Sequence, residues 1–445
     1  MKAKLYVFFI GILFLVSGCI SNHTKLLYNK KPAFYSYVVG DIQGNHISVE
    51  HEADVYTAPA SCQKTISALL AYKTLGSNYR YETKLYVTQK NHKIHDAVIV
   101  FAGDPTLKTE NLLRLLKPLN GVTITGKIFL DASLFKTPPH SPNLMIDDIG
   151  TEYGQPVSSM NIDKNLIIVT VRPSKIDTPA LIVNDSGYRV ESSVITTLEP
   201  SSVKLSIHDN HIKASGNVNL NDAPLALKIS PVDFDRYVLR KVKDTLKSAN
   251  IKGRVVIIRD QNQLPVKINL LNTVKSEPLS SIIPPALKIS DNLVFDSLYL
   301  KIIHSQSNHN IKNWNDGDEI IRSLIHQCFN IDMTNSMFVD GSGLSRYNRV
   351  QPRKLFAILK QGYYTNGFVT ALASPGEPNS TLAKRTELLQ YIKAKTGNMS
   401  GISCLCGYSI NNHSKAFVII ANSFAPPSQE MFLVLDNFVN YYSRK

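Results

Sequence analysis

Thr57-Ala58-Pro59-Ala60-Ser61-Cys62-Gln63-Lys64-Thr65-Ile66-Ser67-Ala68-Leu69-Leu70 is the stretch on which the reading of this chain turns. Pro59 fits just outside a helix start, where its missing N–H costs nothing. From Ser61 onward the residues predict an apolar helix ending near Gly76. Ser61 then stands at a helix N-terminus, among backbone N–H groups that have no intrahelical partner. Lys64 follows three positions later, on the same face one turn up. A lysine beside a serine takes its proton when burial favours the neutral amine. In isolation Ser-x-x-Lys describes equally well an N-cap serine and a solvated lysine. Ser201-Ser202-Val203-Lys204 has the same spacing, in strand-like sequence that presents neither side chain to anything. Only its company in the rest of the chain sets Ser61 apart.

The chain has 445 residues, enough for two or three domains with real cores. Its 43% hydrophobic and 19% charged residues are those of a globular protein. Lys2 and Lys4 precede an apolar run from Leu5 to Val16, too short to span a bilayer, so residues 1–18 read as a secretory signal. Val16-Ser17-Gly18-Cys19 resembles a bacterial lipobox, which implies cleavage before Cys19 and lipid attachment to it. Ile20 follows where an aspartate would retain such a lipoprotein in the inner membrane, so the expected address is the periplasm, anchored to the outer membrane. Cys62, Cys328, Cys404 and Cys406 remain; spacing assigns no pairs, and no metal-ligand spacing accompanies them, so no metal or cofactor is expected. Cys62 reads as a small buried packing residue. The net charge of +14 has no arginine-rich run or nucleic-acid motif behind it, so no nucleic-acid partner is expected.

Along the chain, Phe34 to Val39 and His46 to Glu50 predict a hairpin leading into the Ser61 helix. Strands at Lys84 to Val87, Ala97 to Ala102 and Val122 to Leu130, with a helix from Asn111 to Leu119, predict an α/β layer. From about Asn165 to Leu220 only strand runs occur, which predicts a small all-β module. A strand from Leu225 to Ile229, a helix from Asp233 to Ala249 and a strand from Gly253 to Ile258 are expected to resume the α/β layer. Gln261 to Pro285 reads as a connector. Helices follow at Ile289 to Ile303, Asp316 to Phe329 and Pro352 to Gln361. The end reads as strands over Ala394 to Ile410 and Ala416 to Ala421, then a helix over Glu430 to Tyr442.

Two further triplets keep Ser61 company. Ser290-Asp291-Asn292 opens a helical run and Lys395-Thr396-Gly397 opens a strand. In the order Ser-x-x-Lys, Ser-Asp-Asn, Lys-Thr-Gly, on helix start, helix start and strand, the set resembles that of penicillin-binding proteins and class A β-lactamases. Ala102-Gly103-Asp104-Pro105-Thr106-Leu107, Tyr153-Gly154-Gln155-Pro156-Val157-Ser158 and Val339-Asp340-Gly341-Ser342-Gly343-Leu344-Ser345-Arg346 extend the likeness. With them the chain resembles the D-alanyl-D-alanine carboxypeptidase/endopeptidase family, the class C low-molecular-mass penicillin-binding proteins of the DacB type. About half the chain separates the first two motifs, as the large insertion of that family requires; a β-lactamase lacks it.

The resemblance implies an α+β fold: a penicillin-binding-protein/β-lactamase-like transpeptidase domain from residues 19–78 and 271–445. It implies an inserted α/β domain from 79–164 and 221–270, carrying a small all-β module at 165–220. It implies a serine peptidase acting on peptidoglycan stem peptides through an acyl-enzyme, and acylated by β-lactam antibiotics. Ser61 is then the nucleophile, Lys64 its base and Ser290 a proton relay. Asn292 holds a substrate amide, while Lys395 and Thr396 take the terminal carboxylate. Gly397 lets substrate approach the strand, and the N–H groups of Ser61 and Asn398 form an oxyanion hole. Asp291 is expected to be structural. Arg346 either binds an acidic side chain of the stem peptide or makes a structural salt bridge; Asp147 and Asp148 are candidates for the amino end of that side chain. The other readings that the residues allow are a β-lactamase or esterase of the same fold, and a non-catalytic cell-wall binding protein.

Overall fold

A computed structural model describes residue 27 and residues 31–184, 186–307 and 311–444. The signal segment and Cys19 lie outside these residues. Among the described residues no helix is long and apolar enough to cross a membrane. The chain divides into two compact units: one runs to Thr65, adds Lys288–Ser290 and resumes at Asn348; the other holds Ile66–Leu287 and Asp291–Tyr347.

The first unit begins with β1 (Phe34–Asp41) and β2 (Ile47–His51), paired antiparallel as the predicted hairpin requires. The register shifts between Val39 and Gly40, and a Cβ at Gly40 would come within 2.7 Å of the His46 carbonyl, so glycine occupies the bulge. A 3-10 turn, Ala60–Cys62, then leads into helix α1 (Gln63–Thr74), along which the chain passes into the second unit.

The second unit continues with β3 (Glu82–Lys90), β4 (Lys93–Val100), α2 (Thr109–Leu116) and β5 (Thr123–Asp131). Next come β6 (Ile167–Arg172), β7 (Leu181–Val183), β8 (Arg189–Thr197), β9 (Ser202–His208), β10 (His211–Asn219) and β11 (Leu225–Ile229). Helix α3 (Phe234–Ser248), β12 (Lys252–Ile258), β13 (Asn269–Lys275), α4 (Leu279–Ile289), α5 (Asn292–Gln306) and α6 (Gly317–Phe329) complete it. A mixed sheet of order β12-β5-β4-β3-β13 packs Ile99, Ile128 and Leu130 against Leu112 and Leu115 of α2 and Val238 and Val242 of α3. Asp233 caps α3, its carboxylate accepting from the Arg236 N–H at 3.0 Å. Two three-stranded sheets, β8-β10-β9 and β11-β6-β7, close on Val171, Ala180, Val194, Ala214 and Val218.

Two expectations change here. Strand β11 pairs with β6, so it belongs to a small sheet and does not resume the α/β layer; Leu225 and Leu227 alternate toward the small core. The expected connector contains strand β13 and most of α4. Strand β13 is a polar edge strand, and Pro284 and Pro285 sit inside α4 where they break the helical signal. Strand β8 has an exposed, polar N-terminal half that hides its period.

Back in the first unit come α7 (Pro352–Gly362), α8 (Phe368–Ala371), β14 (Ile392–Met399), β15 (Ile402–Ser409), β16 (Lys415–Asn422) and α9 (Ser428–Arg444). The run Ala394 to Ile410 is thus two strands, turned at Gly401, whose φ is +73°. The sheet order is β14-β15-β16-β1-β2. Side-chain alternation gives it two faces. Ile392, Ala394, Leu405, Phe417, Ile419, Tyr35 and Tyr37 pack with Leu435 and Phe438 of α9. Lys395 and Gly397, with Cys406 and Cys404 directly opposite them on β15, belong to the other face. Strand β14 is an edge strand.

Candidate active site

The 3-10 turn presents Ser61 half-buried at the entrance to α1, between buried Ala60 and Cys62. Ala60 has φ +44°, a left-handed conformation that costs a non-glycine residue about 1 kcal/mol. Lys64, one turn on, is fully buried and its Nζ donates to Ser61 Oγ at 2.8 Å. The pairing that the spacing predicts is therefore made.

Ser290 ends α4. Its φ is +62°, and the Asp291 N–H reaches back to the Ala286 carbonyl at 2.9 Å, closing the helix with a left-handed residue where glycine is usual. Its hydroxyl accepts from Lys395 Nζ at 2.9 Å, and the same ammonium donates to the Thr396 carbonyl at 2.7 Å. Burial pulls the Lys395 ammonium down to about 8, partly opposed by the Cys62, Cys404 and Cys406 sulfurs around it.

Thr396 is half-buried and Asn398 exposed on β14. Gly397 has a packing reason to be glycine. A Cβ there would overlap Cys404 Sγ and come within 2.9 Å of the Ser61 backbone nitrogen. The missing side chain thus lets the Ser61 turn lie against the strand. Ser61, Lys64, Ser290, Lys395, Thr396, Gly397 and Asn398 all belong to the first unit.

Asn292 and Arg346 belong to the second unit. Asn292 opens α5, and its side-chain amide donates to the Tyr153 carbonyl at 2.9 Å. Asp291 caps α5 through the Val294 N–H at 3.1 Å and takes the Lys164 ammonium at 2.8 Å, the structural role expected of it. Burial pushes the Asp148 carboxyl up, against the Tyr153 hydroxyl bonded to it and the positive charge of Arg346 nearby. The Asp340 turn is held by its own carboxylate, which accepts from Gly343 at 2.7 Å and Ser345 at 2.6 Å. Asp296 on α5, which the sequence did not single out, accepts from the Gly341 and Ser342 N–H groups at 3.0 and 2.7 Å. It lies one helical turn beyond Asn292, the one clue its position gave. Among the described residues no group of histidine, cysteine or acidic side chains could hold a metal ion.

A buried amine bonded to a serine at a helix entrance, beside a second serine bonded to a buried strand lysine, is equipment for acyl transfer. Comparison with known proteins agrees. The D-alanyl-D-alanine carboxypeptidase DacB of Haemophilus influenzae is 25% identical over 417 residues, covering 87% of this chain and 85% of that protein. The D-alanyl-D-alanine carboxypeptidase of Actinomadura sp. strain R39 is 25% identical over 410 residues, 83% of this chain and 74% of that one. The crystal structure of penicillin-binding protein 4 from Haemophilus influenzae superposes with a TM-score of 0.82 at 23% identity, covering 95% of this chain and all of that one. The profile of one peptidase family matches residues 25–434, and this chain belongs to it: the D-Ala-D-Ala carboxypeptidase 3 (S13) family.

Proposed function

We propose that the chain is a serine D-alanyl-D-alanine carboxypeptidase and endopeptidase that processes peptidoglycan stem peptides through an acyl-enzyme on Ser61. The observation that carries this reading is the Lys64 Nζ to Ser61 Oγ contact of 2.8 Å, with both groups at the mouth of α1. Ser61 Oγ attacks the carbonyl carbon of the bond between two D-alanines, and its proton passes to Lys64. The oxyanion is met by the N–H groups of Ser61 and Asn398, each worth about 3 kcal/mol in such a site. Collapse expels an amine, to which Ser290 relays a proton; water then releases the acyl group. When the amine is that of free D-alanine the reaction is a carboxypeptidase's. When it belongs to a neighbouring stem, a cross-link is cut.

Lys395 supplies the charge and Thr396 a hydroxyl for the substrate's terminal carboxylate. Asn292 holds a substrate amide, and Arg346 meets an acidic group on the stem peptide, with Asp148 for its amino end. Penicillin acylates Ser61 in the same way but its opened ring leaves no departing group, so the adduct persists. The domain plan is a transpeptidase-like domain around an inserted α/β domain whose sheet takes in β13, with a β module of two small sheets that runs on through β11. The lipobox supports a periplasmic lipoprotein anchored through Cys19 to the outer membrane. Replacing Cys19 with serine then releases the chain to a soluble fraction.

The test is mass spectrometry after labelling with fluorescent penicillin. The label is expected on the peptide containing Ser61, and Ser61→Ala is expected to abolish both labelling and D-alanine release in a folded protein. Label on any other serine, or rapid turnover of a chromogenic β-lactam in place of a stable adduct, overturns the reading.

A further inference from the structure

Three cysteine sulfurs lie buried behind the nucleophile. Cys404 and Cys406 share a face of β15, opposite Gly397 and Lys395, and Cys62 follows Ser61 directly. All three are free thiols. Burial pushes the Cys62 and Cys404 thiols well above the usual range, so they stand as S–H donors. Each uses that donor across the junction of turn and sheet. Cys404 Sγ donates to the Pro59 carbonyl at 2.7 Å, and Cys62 Sγ donates to the Lys395 carbonyl at 3.4 Å. One bond thus runs from sheet to turn and the other from turn to sheet, and they bracket Ser61 at Pro59 and Cys62. The turn has need of such ties, because Ala60 sits in the left-handed region. A strained backbone persists only where its surroundings over-determine it.

We propose that Cys404 and Cys62 are positioning residues. Their thiols dock the Ser61 turn against β15 and β14 and so set the separation of the two oxyanion donors, the N–H groups of Ser61 and Asn398. The proposal rests on the reading of Ser61 as nucleophile. Its consequence is kinetic: a shift of the turn relative to the strand misplaces donors that act only when negative charge develops, so acylation slows while initial binding is spared.

The experiment measures penicillin acylation by the full chain and separates the limiting acylation rate from the dissociation constant of the first complex. Rates are normalised to folded protein, with thermal midpoints recorded. Cys404→Ala is expected to lower the acylation rate roughly ten- to hundredfold, with binding changed less than about twofold. Cys404→Ser, whose hydroxyl donates to the same carbonyl, is expected to recover most of that rate. Cys62→Ala is expected to act in the same sense. Three results overturn the proposal: acylation by folded Cys404→Ala and Cys62→Ala at the wild-type rate; equal losses in Cys404→Ala and Cys404→Ser; or a fall in thermal midpoint with no change in rate per folded molecule, which is what packing alone produces. Ser61→Ala serves as the reference. If it still acylates, the reading of the nucleophile falls; if it is inert while the cysteine variants match wild type, only the positioning role falls.

Discussion

Lys395 Nζ donates to Ser290 Oγ across 2.9 Å, tying a strand lysine to a serine 105 residues earlier in the chain. Among the described residues the buried ammonium meets that hydroxyl and the Thr396 carbonyl as acceptors, neither of them an anion. Burial, with neutral acceptors at hand, lowers its pKa to about 8 from 10.5.

A pH dependence follows with a definite sign. In the free protein Lys395 loses its proton as pH rises through about 8, so kcat/KM for a peptide with a free terminal carboxylate is expected to fall above that pH. An amidated peptide, which has no use for the charge, is expected to lack this limb. Stability moves the opposite way. Between about 8 and 10.5 the unfolded chain holds the proton more tightly than the folded one, so this group makes unfolding harder as pH rises. Paired pH profiles on the two substrates check the first; denaturation midpoints across the window check the second.

Removing the charge while keeping a donor gives a second test. Lys395→Gln is expected to lower activity on a D-alanyl-D-alanine peptide by about one to three orders of magnitude. The amidated peptide, already poor for wild type, is expected to lose much less. Equal losses on both substrates in a folded protein would remove Lys395 as the carboxylate anchor.

Ser290 should trade stability for chemistry. Glycine adopts its φ of +62° without strain, so Ser290→Gly is expected to stabilise the fold by about 0.5–1 kcal/mol. Without the hydroxyl its activity is expected to drop about 10²- to 10⁴-fold. Ser290→Ala loses the same activity and gains no stability. Thermal melts alongside D-alanine release separate the two effects.

The site's support was less legible than its chemistry. The three triplets stand in the sequence because each needs particular residue types at fixed spacing within a few residues. What joins them does not. That Cys404 reaches Pro59, or that Ser290 takes a left-handed backbone, depends on strand register and on how a helix ends. Neither leaves a local pattern. The same holds for the fold. Strand-like apolar runs located β1, β2 and β5, whereas β13 was hidden by its polar residues and α4 by Pro284 and Pro285. Leu225 to Ile229 was read correctly as a strand but given the wrong neighbours, because pairing partners are not encoded in a strand's own period.

Asp296 is the clearest case of support that the sequence conceals, and it makes a stability prediction. Asp296→Ala leaves the Gly341 and Ser342 N–H groups without this acceptor and is expected to cost about 2–4 kcal/mol. Asp296→Asn keeps one carbonyl oxygen and is expected to cost less. Chemical denaturation of the two variants ranks them; an alanine variant as stable as wild type would show that the turn holds itself.

Strand β1 pairs along its whole length with β16, from Phe34 against Asn422 to Asp41 against Lys415. The earliest strand of the sheet therefore waits for its latest one. Pairing so distant in sequence is slow to form, since a long loop must close before any contact rewards it. A chain emerging N-terminus first carries its Ser61 turn from the outset, but the sheet behind that turn is incomplete until β14, β15 and β16 have followed. Catalytic competence is thus withheld until nearly the whole polypeptide has been delivered, and a product truncated before Lys415 would carry every motif residue yet lack the strand that joins β15 to β1.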